Sequence, residues 1–154
     1  MNIKACIVAA ILSLFALPAA AQLEVYEDYT ISDEVWDITT IKVDANMADY
    51  YLEGLKSTWI EASELSKELG QIEEYVVLVS ALPESGDFNM LLGVKYSSLA
   101  DYAPSEELYR EFMTAWGEAN ADASRETVKT YPELRKITGQ YLMHELILLE
   151  PEEE

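Results

Sequence analysis

The chain has 154 residues, with 29 acidic against 10 basic side chains, and its formal net charge is −19. Nucleic acids and anionic membrane surfaces repel such a protein, so we expect neither as a partner. With one histidine and one cysteine in the whole sequence, a zinc site is not expected, and we predict no metal and no cofactor.

The N-terminal segment has the pattern of a secretory signal peptide: a basic residue, Lys4, an apolar run over residues 5–17, and alanines up to Ala21. Cleavage after Ala21 would remove the only cysteine, Cys6, and leave a mature chain without disulfide or thiol chemistry. We therefore take residues 1–21 as the signal peptide and expect a periplasmic or secreted protein that is free of the membrane once the signal is removed.

Residues 22–33 are acidic and contain two tyrosines, which predicts either an irregular N-terminal lead-in or an additional edge strand. Glu34–Val43 is rich in β-branched and aromatic residues and predicts the first strand. Asp37 is unusual within it. It either points to solvent at an edge or pairs with an arginine, for which there are three candidates: Arg110, Arg125 and Arg135.

The longest helical pattern runs from Asn46 to Leu69, with Asn46 as the predicted N-cap and Gly70 as the stop. Residues spaced at about 100° form one mainly apolar stripe. It consists of Met47, Tyr51, Leu55, Thr58, Ala62, Leu65 and Leu69. Trp59 lies at the edge of this stripe, and Ser63 lies on the opposite, charged face.

Ile72–Ala81 and Met90–Tyr96 predict the second and third strands, with a turn-rich connection of hairpin length between them. A second amphipathic helix is predicted from Ser105 to about Ala119. Its apolar stripe contains Leu108, Phe112, Ala115, Trp116 and Ala119.

Residues 120–130 predict a loop and a short helix. Thr130–Glu133 has the pattern of a capping box with proline in the first turn, which predicts a short helix ending at Gly139. Gln140–Leu149 predicts the fourth strand.

The resulting order, β-α-β-β-α-β, predicts an α+β, ferredoxin-like domain over residues 34–149, followed by an acidic tail at 150–154. Its four-stranded antiparallel sheet carries the helices on one face. The second and fourth strands are apolar on both faces, so the other face also needs a cover. A second copy of the sheet is the simplest cover, which predicts a homodimer.

This element order, together with the long first helix, the hairpin and the apolar last strand, resembles the dimeric α/β-barrel superfamily over roughly residues 35–149. The superfamily includes antibiotic-biosynthesis-monooxygenase-like domains and small secreted, uncharacterised bacterial proteins. Its members include cofactor-free oxygenases, haem-degrading enzymes, isomerases and proteins without known activity. The Asn/Trp/His set of the haem-degrading members does not map onto this chain, whose one histidine, His144, lies in the last strand.

Two functions remain open at this point. The first is a non-catalytic dimer that binds a small apolar ligand or a protein partner. Its candidate ligand-binding residues are Trp59, Tyr51, Tyr75 and Asp37. The second is a cofactor-independent, monooxygenase- or isomerase-like enzyme acting on an apolar or aromatic substrate, with His144 as its catalytic acid/base.

Strand alternation places His144 among leucines, with Asp37 as its expected neighbour on the first strand. The histidine is then either a hydrogen-bonded residue at a sheet face or dimer interface, or a proton shuttle in a pocket. A deep pocket that contains His144 would favour the enzyme, and a filled core would favour the binding or structural role.

Overall fold

The computed structural model of the chain describes residues 23–82 and 86–150. The described residues divide into two units, one within residues 31–147 and the other of residues 23–30 and 148–150. The predicted signal peptide and nearly all of the predicted acidic tail lie outside the described residues.

Four strands form one sheet: β1 (Tyr29–Val43), β2 (Glu74–Val79), β3 (Met90–Tyr96) and β4 (Arg135–Leu148). Their order across the sheet is β2-β3-β1-β4, and β3 pairs antiparallel with both β1 and β2. β4 runs antiparallel to β1, as two contacts between the strands show: Thr138 lies against Thr40, and His144, further along β4, lies against Ser32, nearer the start of β1. The α+β, ferredoxin-like fold predicted from the element order is thus confirmed.

The helices follow the predicted order. Their bounds are α1, Ala48–Leu55; a π-helical turn, Lys56–Ile60; α2, Glu61–Glu68; α3, Leu99–Tyr102; α4, Glu106–Trp116; α5, Glu118–Val128; and a 3₁₀ turn, Tyr131–Glu133. α1, the π-helical turn and α2 are continuous, so the long helix predicted between the first two strands is confirmed. α4 confirms the second amphipathic helix.

The predicted helix ends at Gly70 and Ser105 are observed. Gly70 has a φ of 70°, and the N–H of Gln71 donates to the carbonyl of Ser66 at 2.9 Å, which is a Schellman stop. The Ser105 hydroxyl accepts from the Leu108 N–H at 3.3 Å as the N-cap of α4. The predicted N-cap at Asn46 is wrong, because Met47 holds that position without a side-chain bond. The predicted capping box at Thr130 is also wrong, because Thr130 precedes the 3₁₀ turn without a side-chain cap and its hydroxyl donates to the Thr127 carbonyl at 2.8 Å.

The π-helical turn changes which residues of the first helix are buried. An α-helix has 3.6 residues per turn, and a π-helical turn takes up more. The stripe beyond the turn is therefore shifted along the sequence. Ser63 was predicted on the solvent face, but it is buried and its hydroxyl donates to the Trp59 carbonyl at 2.7 Å.

The largest differences from the predicted boundaries occur at three places. β1 begins at Tyr29, so part of the predicted lead-in is strand, and residues 24–28 make a tight turn in which the Glu24 N–H donates to the Asp28 carboxylate at 2.7 Å. Residues 118–128 form the regular helix α5, where a loop and a short helix were expected. β4 begins at Arg135, so the short helix predicted to end at Gly139 is wrong beyond the 3₁₀ turn. Gly139 lies inside the strand, where its carbonyl accepts a hydrogen bond from the Thr40 hydroxyl on β1 at 3.3 Å.

The core lies between the sheet and the helices. It consists of Ile41, Val43, Tyr51, Leu55, Met90, Leu92 and Tyr131. On the opposite side, a Cβ added to Gly93 would meet Val76 and Trp36 at 2.9 and 3.2 Å, so these three residues share one face. We call this the open face. By register it also contains Ile38, which pairs with Gly93, and Leu78, which pairs with Leu91.

Candidate functional site: a cavity between the sheet and the helices

A cavity of about 390 Å³ lies on the helix side of the sheet. This volume falls near the lower end of the range of about 300–1,000 Å³ that is usual for small-molecule sites. Strand, helix and turn residues line it: Thr39, Ile41, Tyr51, Leu55, Thr58, Trp59, Ala62, Leu92, Phe112, Trp116, Ser124, Val128, Tyr131, Arg135, Ile137 and Gln140. The lining is mainly apolar and aromatic and contains no carboxylate.

The π-helical turn forms part of one wall of the cavity. It contributes Thr58 and Trp59, with Leu55 before them and Ala62 after them. This spacing, i, i+3, i+4 and i+7, is that of a single helix face, at whose edge the sequence pattern put Trp59. π-helical turns are frequently found at functional sites.

Tyr131 closes the cavity between the first helix and the start of β4. Its hydroxyl lies 2.6 Å from Thr58 Oγ1, which itself donates to the Gly54 carbonyl at 2.9 Å. A threonine hydroxyl has one hydrogen, so Tyr131 is the donor to Thr58. Gly54 permits this approach, since a Cβ there would lie 3.0 Å from the Tyr131 ring.

Arg135 brings a positive charge into this apolar lining. Its guanidinium carbon lies 5.8 Å from the centre of the Tyr51 ring and 5.4 Å from that of Tyr131, both within cation–π range. Burial raises the pKa of both phenols. The charge of Arg135 and its hydrogen bond to the hydroxyl oppose this pKa shift at Tyr51, and the hydrogen bond with Thr58 and the charge of Arg135 oppose it at Tyr131. Both tyrosines are therefore neutral at pH 7 and do not supply a counter-charge to Arg135.

Two buried polar atoms of the lining have no hydrogen-bond partner among the described residues. They are Arg135 Nε and Ser124 Oγ. Buried polar groups are paired in the large majority of cases, so unpaired ones that face a cavity indicate where a ligand atom can bind.

The sequence-predicted binding residues divide between the cavity and other places. Tyr51 and Trp59 line the cavity. Tyr75 does not line it, but its ring contacts Trp59 edge-on at 5.6 Å and its hydroxyl donates to Glu64. Asp37 lies in a separate small depression with Tyr102. The role of each in binding stays a prediction.

His144 lies outside the cavity. It is exposed on β4, and its Nδ1 is 2.9 Å from the Ser32 carbonyl oxygen. The expected pairing with Asp37 is absent. The possible arginine partners of Asp37 are engaged elsewhere, since Arg110 pairs with Glu106, Arg125 pairs with Asp122, and Arg135 lies against the tyrosine rings.

The sequence interpretation missed several lining residues. Phe112 and Trp116 lie on the predicted stripe of the second helix, which was the available signal, and their rings stack at 5.8 Å. Arg135 and Ser124 had no such signal, because both fall in segments whose secondary structure was predicted incorrectly.

Asp37 gives a test by pH. Burial raises the pKa of its carboxyl, so the charged form is less favourable in the folded state than in the unfolded chain. This penalty is absent below the ordinary value of 3.8 and develops as the pH rises through the folded-state pKa. Asp37→Asn should therefore raise the melting temperature at pH 7, and the gain should vanish near pH 3 (about the lower limit of carboxyl titration).

Asp33→Asn is the matched control for Asp37→Asn, because Asp33 is exposed on the same strand. It should leave the melting temperature unchanged across this pH range. A lower melting temperature for Asp37→Asn at pH 7 would mean that Asp37 is stabilised by a charged partner.

In the described part of the chain, no three histidine, cysteine or carboxylate side chains are grouped so that they could hold a metal ion. None of the described helices combines the length and the apolar character needed to cross a bilayer.

Comparison with known proteins gives likeness at the level of the fold. No family model matches the sequence, and no curated protein matches it. Among solved structures, HapK from Hahella chejuensis is 12% identical, with a TM-score of 0.44, and the alignment covers 73% of this chain and 91% of HapK.

Two further structures are similar. A dimeric protein of unknown function and ferredoxin-like fold from Bacteroides fragilis is 16% identical, with a TM-score of 0.41 and coverage of 77% of this chain and 99% of that chain. A variant of SnoaB, a cofactor-independent oxygenase from Streptomyces nogalater, is 10% identical, with a TM-score of 0.35 and coverage of 80% and 97%.

The chain has a ferredoxin-like fold. The strand order and the antiparallel pairing of this chain confirm the fold predicted from the element order, and the likeness to these structures is one of fold alone. No residue role is transferred from these structures.

Proposed function

We propose that the protein binds a small apolar ligand in the cavity between the sheet and the helices. The observation that carries the proposal is the cavity itself, about 390 Å³ in volume and lined by aromatic and aliphatic side chains with a few polar groups. Sites for small molecules have this composition, in which apolar surface provides most of the affinity and a few polar groups fix the orientation.

The position of His144 supports binding over the enzymatic alternative. A general acid or base must reach the reacting atom directly or through one water molecule. His144 is exposed and bonded to the Ser32 carbonyl, and it is not part of the lining. The cofactor-independent oxygenase or isomerase with His144 as acid/base therefore has no observation of its own in its favour.

We also propose that two copies pair through the open face. Leu78 on the open face is 58% exposed. β4, at the edge of the sheet, adds apolar side chains that are exposed on both of its faces, including Leu142 at 43%, Met143 at 51% and Leu146 at 54%. Large exposed apolar surfaces of this kind mark interaction sites that a partner covers. A second copy supplies that cover, and a stable interface of this kind buries more than about 1,000 Å² in total.

Export is the third part of the proposal, and it is supported by the sequence of the N-terminal segment. Intact mass of protein recovered from the periplasm or medium should correspond to cleavage after Ala21. The mass of the full chain, or of a lipid-modified one, would contradict export in this form.

Binding can be tested with the neutral, apolar fluorescent probe N-phenyl-1-naphthylamine. Ala62 lines the cavity, and Ala62→Phe places a ring in the space that the ligand would occupy. The variant should bind the probe at least tenfold more weakly than the unaltered protein, which corresponds to a loss of about 1.4 kcal/mol of binding free energy. Fluorescence titration gives the dissociation constants, and native mass spectrometry identifies any ligand that co-purifies.

Two variants control this experiment. Ala115→Phe makes the same change at an exposed position of α4, and His144→Ala removes the imidazole that lies outside the cavity. Both should bind the probe as the unaltered protein does. Equal binding by Ala62→Phe would place the probe elsewhere, most simply on the open face. Weaker binding by His144→Ala would restore the histidine as a site residue.

A further inference from the structure

Arg135 is a charged residue without an anionic partner in the described part of a chain that is rich in carboxylates. The chain has 29 acidic residues, and Arg110 and Arg125 each pair with one on their own helix. Arg135 forms no ion pair with the described residues, and its buried Nε has no hydrogen-bond partner. The rings of two neutral tyrosines lie near its guanidinium, and the Tyr51 hydroxyl accepts a hydrogen bond from it, but neither tyrosine satisfies the Nε–H.

Ser124 is a second unpaired donor on the same cavity. A serine or threonine within a helix commonly donates to the carbonyl one turn earlier. Five hydroxyls of these helices do so, namely Ser57, Thr58, Ser63, Thr114 and Thr127. Ser124 Oγ is buried without any partner, so its hydrogen is free for a ligand.

The unpaired groups are thus donors, and one of them is cationic. The Tyr131 hydroxyl uses its hydrogen on Thr58 and does not compete for the same acceptor. A guanidinium presents its N–H groups in a planar fork that matches the two oxygens of a carboxylate. The apolar remainder of the lining excludes water, which strengthens such a pair.

We propose that the cavity binds a small carboxylic acid with an apolar body. Its carboxylate pairs with the Arg135 guanidinium, and the Ser124 hydroxyl is a further donor in the same cavity. The apolar body contacts Leu55, Trp59 and Phe112, which line the cavity. This inference rests on the proposed binding function and adds to it the charge and chemical class of the ligand.

The test compares acids with their own amides, which have the same shape but no charge. Benzoate, 2-naphthoate and octanoate, each with its amide, are titrated into the full chain by calorimetry. At least one acid should bind tenfold more tightly than its amide, which corresponds to about 1.4 kcal/mol of binding free energy. Arg135→Met keeps the apolar stem of the side chain and removes the charge. It should abolish this preference while the amide binds within about threefold of its original affinity.

Arg110→Met is the matched control, because Arg110 is exposed on α4 and pairs with Glu106. It should preserve the preference for the acid. Ser124→Ala should reduce the preference in part and provides a second variant if Arg135→Met does not fold. In that case, the comparison of acid with amide in the unaltered protein and in Ser124→Ala decides.

The outcomes separate this inference from the proposed function. If acids bind no better than amides while N-phenyl-1-naphthylamine binds in the cavity, the carboxylate assignment fails and apolar binding stands. If neither the acids nor the neutral probe bind, the proposed function fails. If the preference survives Arg135→Met, another group recognises the carboxylate and the assignment to Arg135 is overturned.

Discussion

Ile38→Glu should convert the proposed dimer into a monomer at low micromolar concentration. Ile38 is half-buried on β1, a central strand, and it lies across from Gly93 on the open face. In a dimer packed through that face, a carboxylate at this position would be buried against a partner that already carries a large negative charge. Light scattering should give the monomer mass for the variant and twice that mass for the unaltered protein.

Tyr109→Glu is the control for Ile38→Glu, because it makes the same kind of change on α4, where Tyr109 is 64% exposed. It should remain a dimer. Both variants should be folded, because in a monomer the new carboxylate at position 38 would face solvent. Circular dichroism checks this. A folded Ile38→Glu dimer would mean that the two copies pair through another surface, and a monomeric unaltered protein would remove the dimer altogether.

Met90→Ala should lower the free energy of unfolding by about 2–5 kcal/mol. Met90 is 2% exposed, and it pairs in register with Ile41 on β1 and with Val79 on β2. It does not line the cavity, so the space left by its side chain is a new void in a packed region. Small domains are stable by only about 5–15 kcal/mol, so this loss is large.

Denaturant unfolding at a fixed protein concentration measures this loss, because dimer dissociation also contributes to the apparent stability. Tyr109→Ala, at an exposed position, should change the stability by about 0.5 kcal/mol or less. A change of that size for Met90→Ala would mean that the core around β3 rearranges to fill the void.

The order of elements was predictable because each long segment shows its own period. The stripe that contains Tyr51 and Leu55 indicated the first helix, and both residues are buried in it. Gly70 marked its end, since a residue at positive φ favours glycine. The strand order then follows from the ferredoxin-like connection rules, which depend on sequence order alone.

The start of β4 was not predictable from local pattern. Residues 130–139 contain Pro132 near the start and Gly139 at the end, a pattern that favours a short helix between them. What makes Arg135–Gly139 a strand is its pairing with β1. Thr138 bonds to Thr40, a residue 98 positions earlier in the sequence. Such non-local pairing overrides local propensity and leaves no mark in the segment itself.

The candidate site was predictable only in part for the same reason. Tyr51 and Trp59 were identified because aromatic residues near an apolar stripe are visible in the sequence, and they line the cavity. Arg135 was considered only as one of three possible partners of Asp37, since nothing in its neighbours shows that the tyrosines at 51 and 131 lie against it. The charge that gives the cavity its proposed selectivity is therefore a property of the tertiary structure.

The π-helical turn also makes the number of residues in the first helix matter, independently of which residues they are. Deleting the exposed Ser57 would remove no side chain of the core and would restore a regular α-helix, because the π-helical turn takes up one residue more than an α-helical turn. α2 would then keep its orientation relative to α1 and the sheet. Deleting a residue from α1 would instead rotate α2 by about 100°, because each residue of an α-helix contributes that angle, and Ala62 would leave the cavity wall. Chain length within this one helix is thus as much a determinant of the cavity as any side chain that lines it.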